Sequence, residues 1–284
     1  MNKLRLGSRL GGAAIITALA AIALGTLAGS AQAAVPGVQR VTVSSISDSA
    51  SFKTVTANCP AGKVVVGAEY SISNGLGSVV LDDLVPTQSS VRVGAREDAN
   101  GTTTSWLVRA TAVCANPLPG YEIITAKSPA TSEGKSAIAS CPAGKQLIGS
   151  GANMDGGFGE VVLDALIPST SSLTVTSFEG DNGGTANNWS VTARAICANP
   201  LPGRQVVFAT SASTSAGKAQ DVLCPIGTQP ISAGFDVFGA PGELITTGMF
   251  TSPLAPTATA AALEDDNGTA ASWTVRAFGI CATP

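Results

Sequence analysis

The sequence predicts an all-β fold of three tandem repeats, each a small disulfide-stapled β-sandwich-like unit. Three observations carry that prediction: a Trp strand written three times, six regularly placed cysteines, and short Val-, Ile- and Thr-rich runs divided by turn residues. "SWLVRATAVC", "NWSVTARAIC" and "SWTVRAFGIC" each place a Cys eight residues after a Trp, at Trp106 and Cys114, Trp189 and Cys197, and Trp273 and Cys281. Pro36-Gly37 returns as Pro119-Gly120 and Pro202-Gly203, a period of 83 residues. Repetition on that scale sets the architecture before any single motif is weighed.

The chain opens on a segment that reads as a secretory signal, residues 1–33. Lys3, Arg5 and Arg9 precede an apolar run from Ala13 to Leu27, and Ala31-Gln32-Ala33 fits the small-residue cleavage pattern. Residues 34–119, 120–202 and 203–284 are then three β repeats, with no second apolar run long enough to span a bilayer. The whole chain carries a formal charge of −3. Without the three cations of the leader, 13 Lys and Arg face 19 Asp and Glu, a balance of −6. With no cluster of basic residues, nucleic acid and anionic membranes are not the expected partners.

Within the first repeat the expected strands are "VQRVTVSS", "FKTVTANC", "KVVVGAEYSI", "SVVLDDLV", "SVRVGARE" and "SWLVRATAVC", separated by Gly, Pro, Asn and Ser. Helical periodicity is not sustained anywhere in them. Residues at even spacing on a strand share a face, so Trp106, Val108, Ala110, Ala112 and Cys114 point inward together. Small residues between a Trp and a Cys leave space for a bulky neighbour such as a disulfide. Six cysteines in an exported chain imply a disulfide framework. Two symmetric sets are open. Pairing within units joins Cys59 to Cys114, Cys141 to Cys197 and Cys224 to Cys281. Pairing between neighbours joins Cys114 to Cys141 and Cys197 to Cys224, with Cys59 closing to Cys281. The first is expected, because a unit of this size with few aromatic residues needs its own staple, and closing so long a loop contributes a few kcal/mol. The connection "ANPLPG", at Ala115 to Gly120 and at Ala198 to Gly203, is a stiff spacer that holds neighbours in a fixed relation. A rigid row and a closed pseudo-threefold body both satisfy it.

The chain contains no His, which removes Ser-His-Asp and Cys-His nucleophile pairs and imidazole metal ligands. Oxidised cysteines remove thiolate chemistry and zinc, so no cofactor or metal is expected. Carboxylates are the remaining acid and base groups. Asp82 and Asp83 in "VVLDDLV" and Asp164 in "VVLDALI" are read first as polar positions on an edge strand, and only third as a polysaccharide hydrolase pair. The loops before each Trp strand, "EDANGTTTSW", "EGDNGGTANNW" and "EDDNGTAASW", set Asp beside Asn-Gly. As structure they are hairpin turns. As function they make Asp98, Asn100, Asp181, Asn182, Asp266 and Asn267 the candidate ligand-binding residues, three equivalent polar tips for glycan hydroxyls or a protein partner. The expectation is a secreted, extracellular, non-enzymatic binding protein. A self-associating envelope or matrix component is the alternative. The sequons at Asn100, Asn188 and Asn267 are read as turn residues.

The pairing of "CPAGK" with "WxVxAxxICA", in triplicate, resembles secreted bacterial proteins, common in actinobacteria, built of tandem modules with those two motifs. The resemblance covers nearly the whole chain after the leader and implies extracellular β modules without implying an activity. The third copy departs from it, with "CPIGT" and with Thr228 where Lys63 and Lys145 stand. A fainter similarity to threefold β-prism and lectin-like proteins rests on repeat number alone.

Overall fold

The computed structural model describes residues 35–180, 184–252 and 254–284. The expected leader, together with Asp181 and Asn182, lies outside the described residues. Six strands form in every unit, as the alternating pattern predicts. The first unit holds β1 (Gln39–Ser44), β2 (Phe52–Asn58), β3 (Val64–Ser73), β4 (Val79–Pro86), β5 (Ser90–Glu97) and β6 (Leu107–Ala115). The second holds β7 (Glu122–Lys127), β8 (Lys135–Ser140), β9 (Gln146–Asp155), β10 (Val161–Pro168), β11 (Ser172–Glu179) and β12 (Ser190–Ala198). The third holds β13 (Gln205–Thr210), β14 (Lys218–Leu223), β15 (Gln229–Phe238), β16 (Leu244–Thr251), β17 (Thr257–Glu264) and β18 (Thr274–Ala282).

Each unit divides its strands between two three-stranded halves, and each half continues into a neighbour. Sheet A has the order β1-β6-β3-β16-β17-β14, sheet B the order β2-β5-β4-β9-β12-β7, and sheet C the order β13-β18-β15-β10-β11-β8. The seams are short antiparallel pairings: Asp83 with Asn153 and Leu84 with Ala152, Ala165 with Asp236 and Leu166 with Phe235, Gly248 with Ser71 and Met249 with Tyr70. First joins second, second joins third, and third joins first. The body is therefore the closed pseudo-threefold one and not the rigid row. At the open junction Val35 N donates to Thr283 O at 3.0 Å, so the end of the third unit meets the start of the first.

The Trp strands pack as their spacing requires. Trp106, Trp189 and Trp273 are wholly buried, as are the Ala and Val residues that alternate with them. Disulfides join Cys59 to Cys114, Cys141 to Cys197 and Cys224 to Cys281, the set within units, and leave no free cysteine. Each ties one half-sheet of its unit to the other, which is why the positions between Trp and Cys stay small. Three such bonds belong to an oxidising environment. No helix among the described residues is long and apolar enough to cross a membrane.

Bulges recur at two places in every unit. One displaces Val66, Ile148 and Ile231, between Val65 and Gly67, Leu147 and Gly149, and Pro230 and Ser232. The other displaces Asp82, Asp164 and Thr247 beside the seams. A bulge leaves a backbone group outside the ladder, and that group needs another partner. Beside the first bulge the partner comes from the next unit. Tyr121 Oη donates to Val65 O at 2.8 Å, Arg204 Nη2 to Leu147 O at 2.6 Å, and Arg40 Nη2 to Pro230 O at 3.0 Å. One Tyr and two Arg thus do one job around the ring. Tyr121→Phe is expected to cost about 1 kcal/mol in chemical unfolding, the worth of one partly buried hydrogen bond. An unchanged midpoint would show that Tyr121 does not serve the seam.

Candidate functional site

The loops before the Trp strands start at one end of the ring, where Asp98, Gly180 and Asp265 line one small cavity. Their backbones are held alike, Asp98 N to Ser78 O at 3.1 Å, Gly180 N to Glu160 O at 2.8 Å and Asp265 N to Glu243 O at 3.0 Å. This register makes Asp98 the counterpart of Gly180 and Asp265, and sets Asp266 one place further along than Asp98. Between the loops Val80, Val162 and Ile245, one from each unit, form a small apolar cluster. Glycines close the same end in rotation. A Cβ at Gly159 would overlap Glu97 O of the first unit, and one at Gly77 would lie 2.7 Å from Asp265 C of the third.

Much of the loop chemistry serves the turn. Asp98 Oδ1 accepts from the amides of Asn100 and Gly101, both at 3.0 Å, and Asp265 Oδ1 accepts from Gly268 N at 3.0 Å. Asp98 Oδ2 is buried without a hydrogen-bond partner, and burial, reinforced by Asp266 and Glu97, pushes the Asp98 carboxyl up. Glu160 is raised by burial and by Asp98 beside it. The Glu that opens each loop has a role the sequence reading missed. Glu97, Glu179 and Glu264 accept from the indole N–H of Trp106, Trp189 and Trp273 at 2.9, 2.8 and 3.0 Å. On each Trp ring lies a lysine, Lys53, Lys135 or Lys218, at 4.3, 3.6 and 3.5 Å from the ring centre. A buried indole needs an acceptor. The Glu nine or ten residues upstream of every Trp was the available signal.

The structure brings two of the candidate tips together. Asn100 Nδ2 donates to both carboxylate oxygens of Asp266, at 3.2 and 3.1 Å, across the junction of the first and third units. Asn267 neighbours Asp266 on the same loop. Among the described residues no group of three or more Cys, Asp or Glu is placed to hold a metal ion.

The other chemistry lies on the outer sheet faces at the seams. Asp82, Asp83 and Asp164 are on inner strands of six-stranded sheets and not on edge strands, because the edges on which they were expected are paired with the next unit. Asp83 pairs with Arg92, and Asp82 with Arg96 at 3.6 Å. Asp164 lies on a different sheet, where it faces Asp236, and burial lifts the two carboxyls to about 7 and about 6. On sheet A, burial takes Glu69 to about 7 while Thr251 donates to it and Arg40 opposes the rise. Lys63 and Lys145 serve scaffold contacts. Lys63 Nζ donates to Gly37 O and to Asn116 Oδ1, and Lys145 pairs with Glu122. No protein-family model matches the chain, and no curated protein is significantly similar to it.

Proposed function

We propose that this is a secreted, non-enzymatic binding protein whose closed ring presents its loop-bearing end to extracellular glycan, cell envelope or a protein partner. The observation that carries the reading is the contact of Asn100 with Asp266, which joins the acidic Asn-Gly tips of two units into one continuous polar surface. Weak polar contacts on a rigid frame add up when they act together, which suits a polymeric or repeated ligand. Export is supported by the leader-like first 33 residues and by the oxidised cysteines.

The test compares the oxidised protein with an Asp98→Asn, Asp181→Asn, Asp266→Asn variant in binding to glycans and intact envelopes. At Asp98 the Asn keeps a side-chain oxygen for the turn amides, and all three changes remove charge. Saturable binding that weakens at least tenfold in a variant of unchanged fold is the expected result. Binding that survives the three substitutions would place the site elsewhere.

A further inference from the structure

In a ring of three like units, the Trp, Cys and Glu residues of the frame recur at equivalent positions. Residues that occur in one unit only form a second kind, in which some complete a seam, as Tyr121 does, and the rest are open to another role. The outer face of sheet B brings three of the second kind together. Arg194 stands where the other units have Thr111 and Phe278, Phe158 where they have Leu76 and Pro241, and Asp83 where they have Ala165 and Gly248. These three residues line one groove of about 560 Å³ at the seam of the first and second units. That volume is within the usual range for small-ligand sites, about 300–1,000 Å³.

The groove's charges are ordered. Asp83 pairs with Arg92, Asp82 with Arg96, and Asp155 with Lys127 at 2.9 Å. Arg194 is the fourth cation of the lining against three carboxylates. Its Nε donates to Asn153 Oδ1 at 3.0 Å, and Asn153 Nδ2 donates in turn to Asp155 Oδ1 at 3.1 Å. That chain orients the guanidinium, while its two terminal nitrogens have no hydrogen bond or ion pair among the described residues. A planar fork so held is suited to a carboxylate taken by two parallel bonds. Phe158 is 62% exposed at the groove's edge, with a positive φ of 48° that aromatic residues seldom adopt. Gly94 pairs with Asp83 on the neighbouring strand. A Cβ there would stand 3.1 Å from Asp83 Oδ2 and crowd the carboxylate.

We infer that this groove is a binding site for a carboxylate-bearing pyranose, a uronate residue of an acidic polysaccharide. The carboxylate meets the open edge of Arg194. Hydroxyls donate to Asp83 and Asp155, and the C–H face of the ring lies on Phe158. A net of one positive charge among three carboxylates suits a monoanion with many hydroxyls better than a phosphate dianion. The inference stands apart from the loop-bearing end and does not depend on it.

The test titrates the oxidised protein with a galacturonate trisaccharide and with the neutral galactose trisaccharide, by calorimetry and by NMR. Expected are saturable binding of the uronate, at least tenfold weaker binding of the neutral sugar, and at least tenfold loss of uronate binding in Arg194→Met. Phe158→Gly, which suits a left-handed backbone, should weaken both ligands and keep the preference for the acidic one. The loop variant with Asp98, Asp181 and Asp266 changed to Asn should bind the uronate as before, so the two readings fail separately. Absence of saturable uronate binding, equal affinity for the two sugars, or an Arg194→Met protein that binds undiminished would each overturn the inference. Should Arg194→Met misfold, loss of the uronate preference in Arg194→Lys is the supporting result and retention of full affinity there the opposing one.

Discussion

Gly149→Ala is expected to destabilise the ring by about 3 kcal/mol, at the upper end for one added methyl group. A Cβ at Gly149 would overlap the carbonyl oxygen of Val66 in the first unit and stand 2.9 Å from Ile196 Cδ1. Gly67 has the same relation to Ile231 O of the third unit. The obstructing atom is backbone in a bulge, so no rotamer change relieves the overlap. Only a shift of one unit against the next does, and that shift is resisted by seams of two residue pairs each. At a domain of this size the loss corresponds to a fall of roughly 6–12 °C in the thermal midpoint. The third unit supplies the control, because Ser232 occupies the equivalent place. Ser232→Gly should change little, since its buried hydroxyl has no hydrogen-bond partner to lose. A Gly149→Ala protein that melts within a degree of wild type would show that the close approach of Gly149 to Val66 is not what holds these units together.

Acidic conditions are expected to stabilise the protein through Asp164, and Asp164→Asn should remove that dependence. Asp164 is 7% exposed, its Oδ1 has no hydrogen-bond partner, and burial followed by the Asp236 carboxylate raises it from 3.8 to about 7. Its counterpart Asp82 has Arg96 at 3.6 Å, but the second unit carries Phe178 in place of that arginine. The folded state therefore holds a proton up to about pH 7 that the unfolded chain releases near pH 4. The stabilisation is complete below the unfolded value and is lost as pH rises through about 7. From this group alone the difference between pH 5 and pH 8 is about 2–4 kcal/mol. Asp236, raised by burial against the opposing Arg276 at 3.7 Å, and Glu69 act in the same direction. The more exposed Asp48, whose carboxyl is lowered chiefly by its hydrogen bond from Lys53, acts in the opposite one. Comparing thermal midpoints of wild type and Asp164→Asn across pH 5 to 8 isolates the residue. The variant should be the more stable at pH 8 and lose the advantage by pH 5. Two parallel profiles would mean that Asp164 is not carrying the effect.

Local chemistry made the unit legible. The spacing of Trp106 and Cys114, the alternation in "VVVGAEYSI" and the Asn-Gly turns each depend on neighbours within a few residues, so they state strand, face and turn directly. The pairing of Cys59 with Cys114 followed from the need of a small unit for its own bond. The candidate site was less legible. Asp98, Asp181 and Asp266 look equivalent along the chain, yet backbone register aligns Asp98 with Gly180 and Asp265, and register is set by pairing with Ser78, Glu160 and Glu243. The groove with Arg194 and Phe158 gives no signal at all in either unit read alone.

The repeats, the six strands of each, the buried Trp face and the all-β class can be read from the chain, because they rest on periodicity and on short-range turn chemistry. Ring closure and the side chains that share a seam are visible only in the folded molecule. Seam contacts join residues far apart in the chain, as in Arg40 and Pro230 or Tyr121 and Val65, and different residue types satisfy the same carbonyl from one unit to the next. No sequence period records such a substitution, since the carbonyl needs only a donor in reach and is indifferent to which residue supplies it.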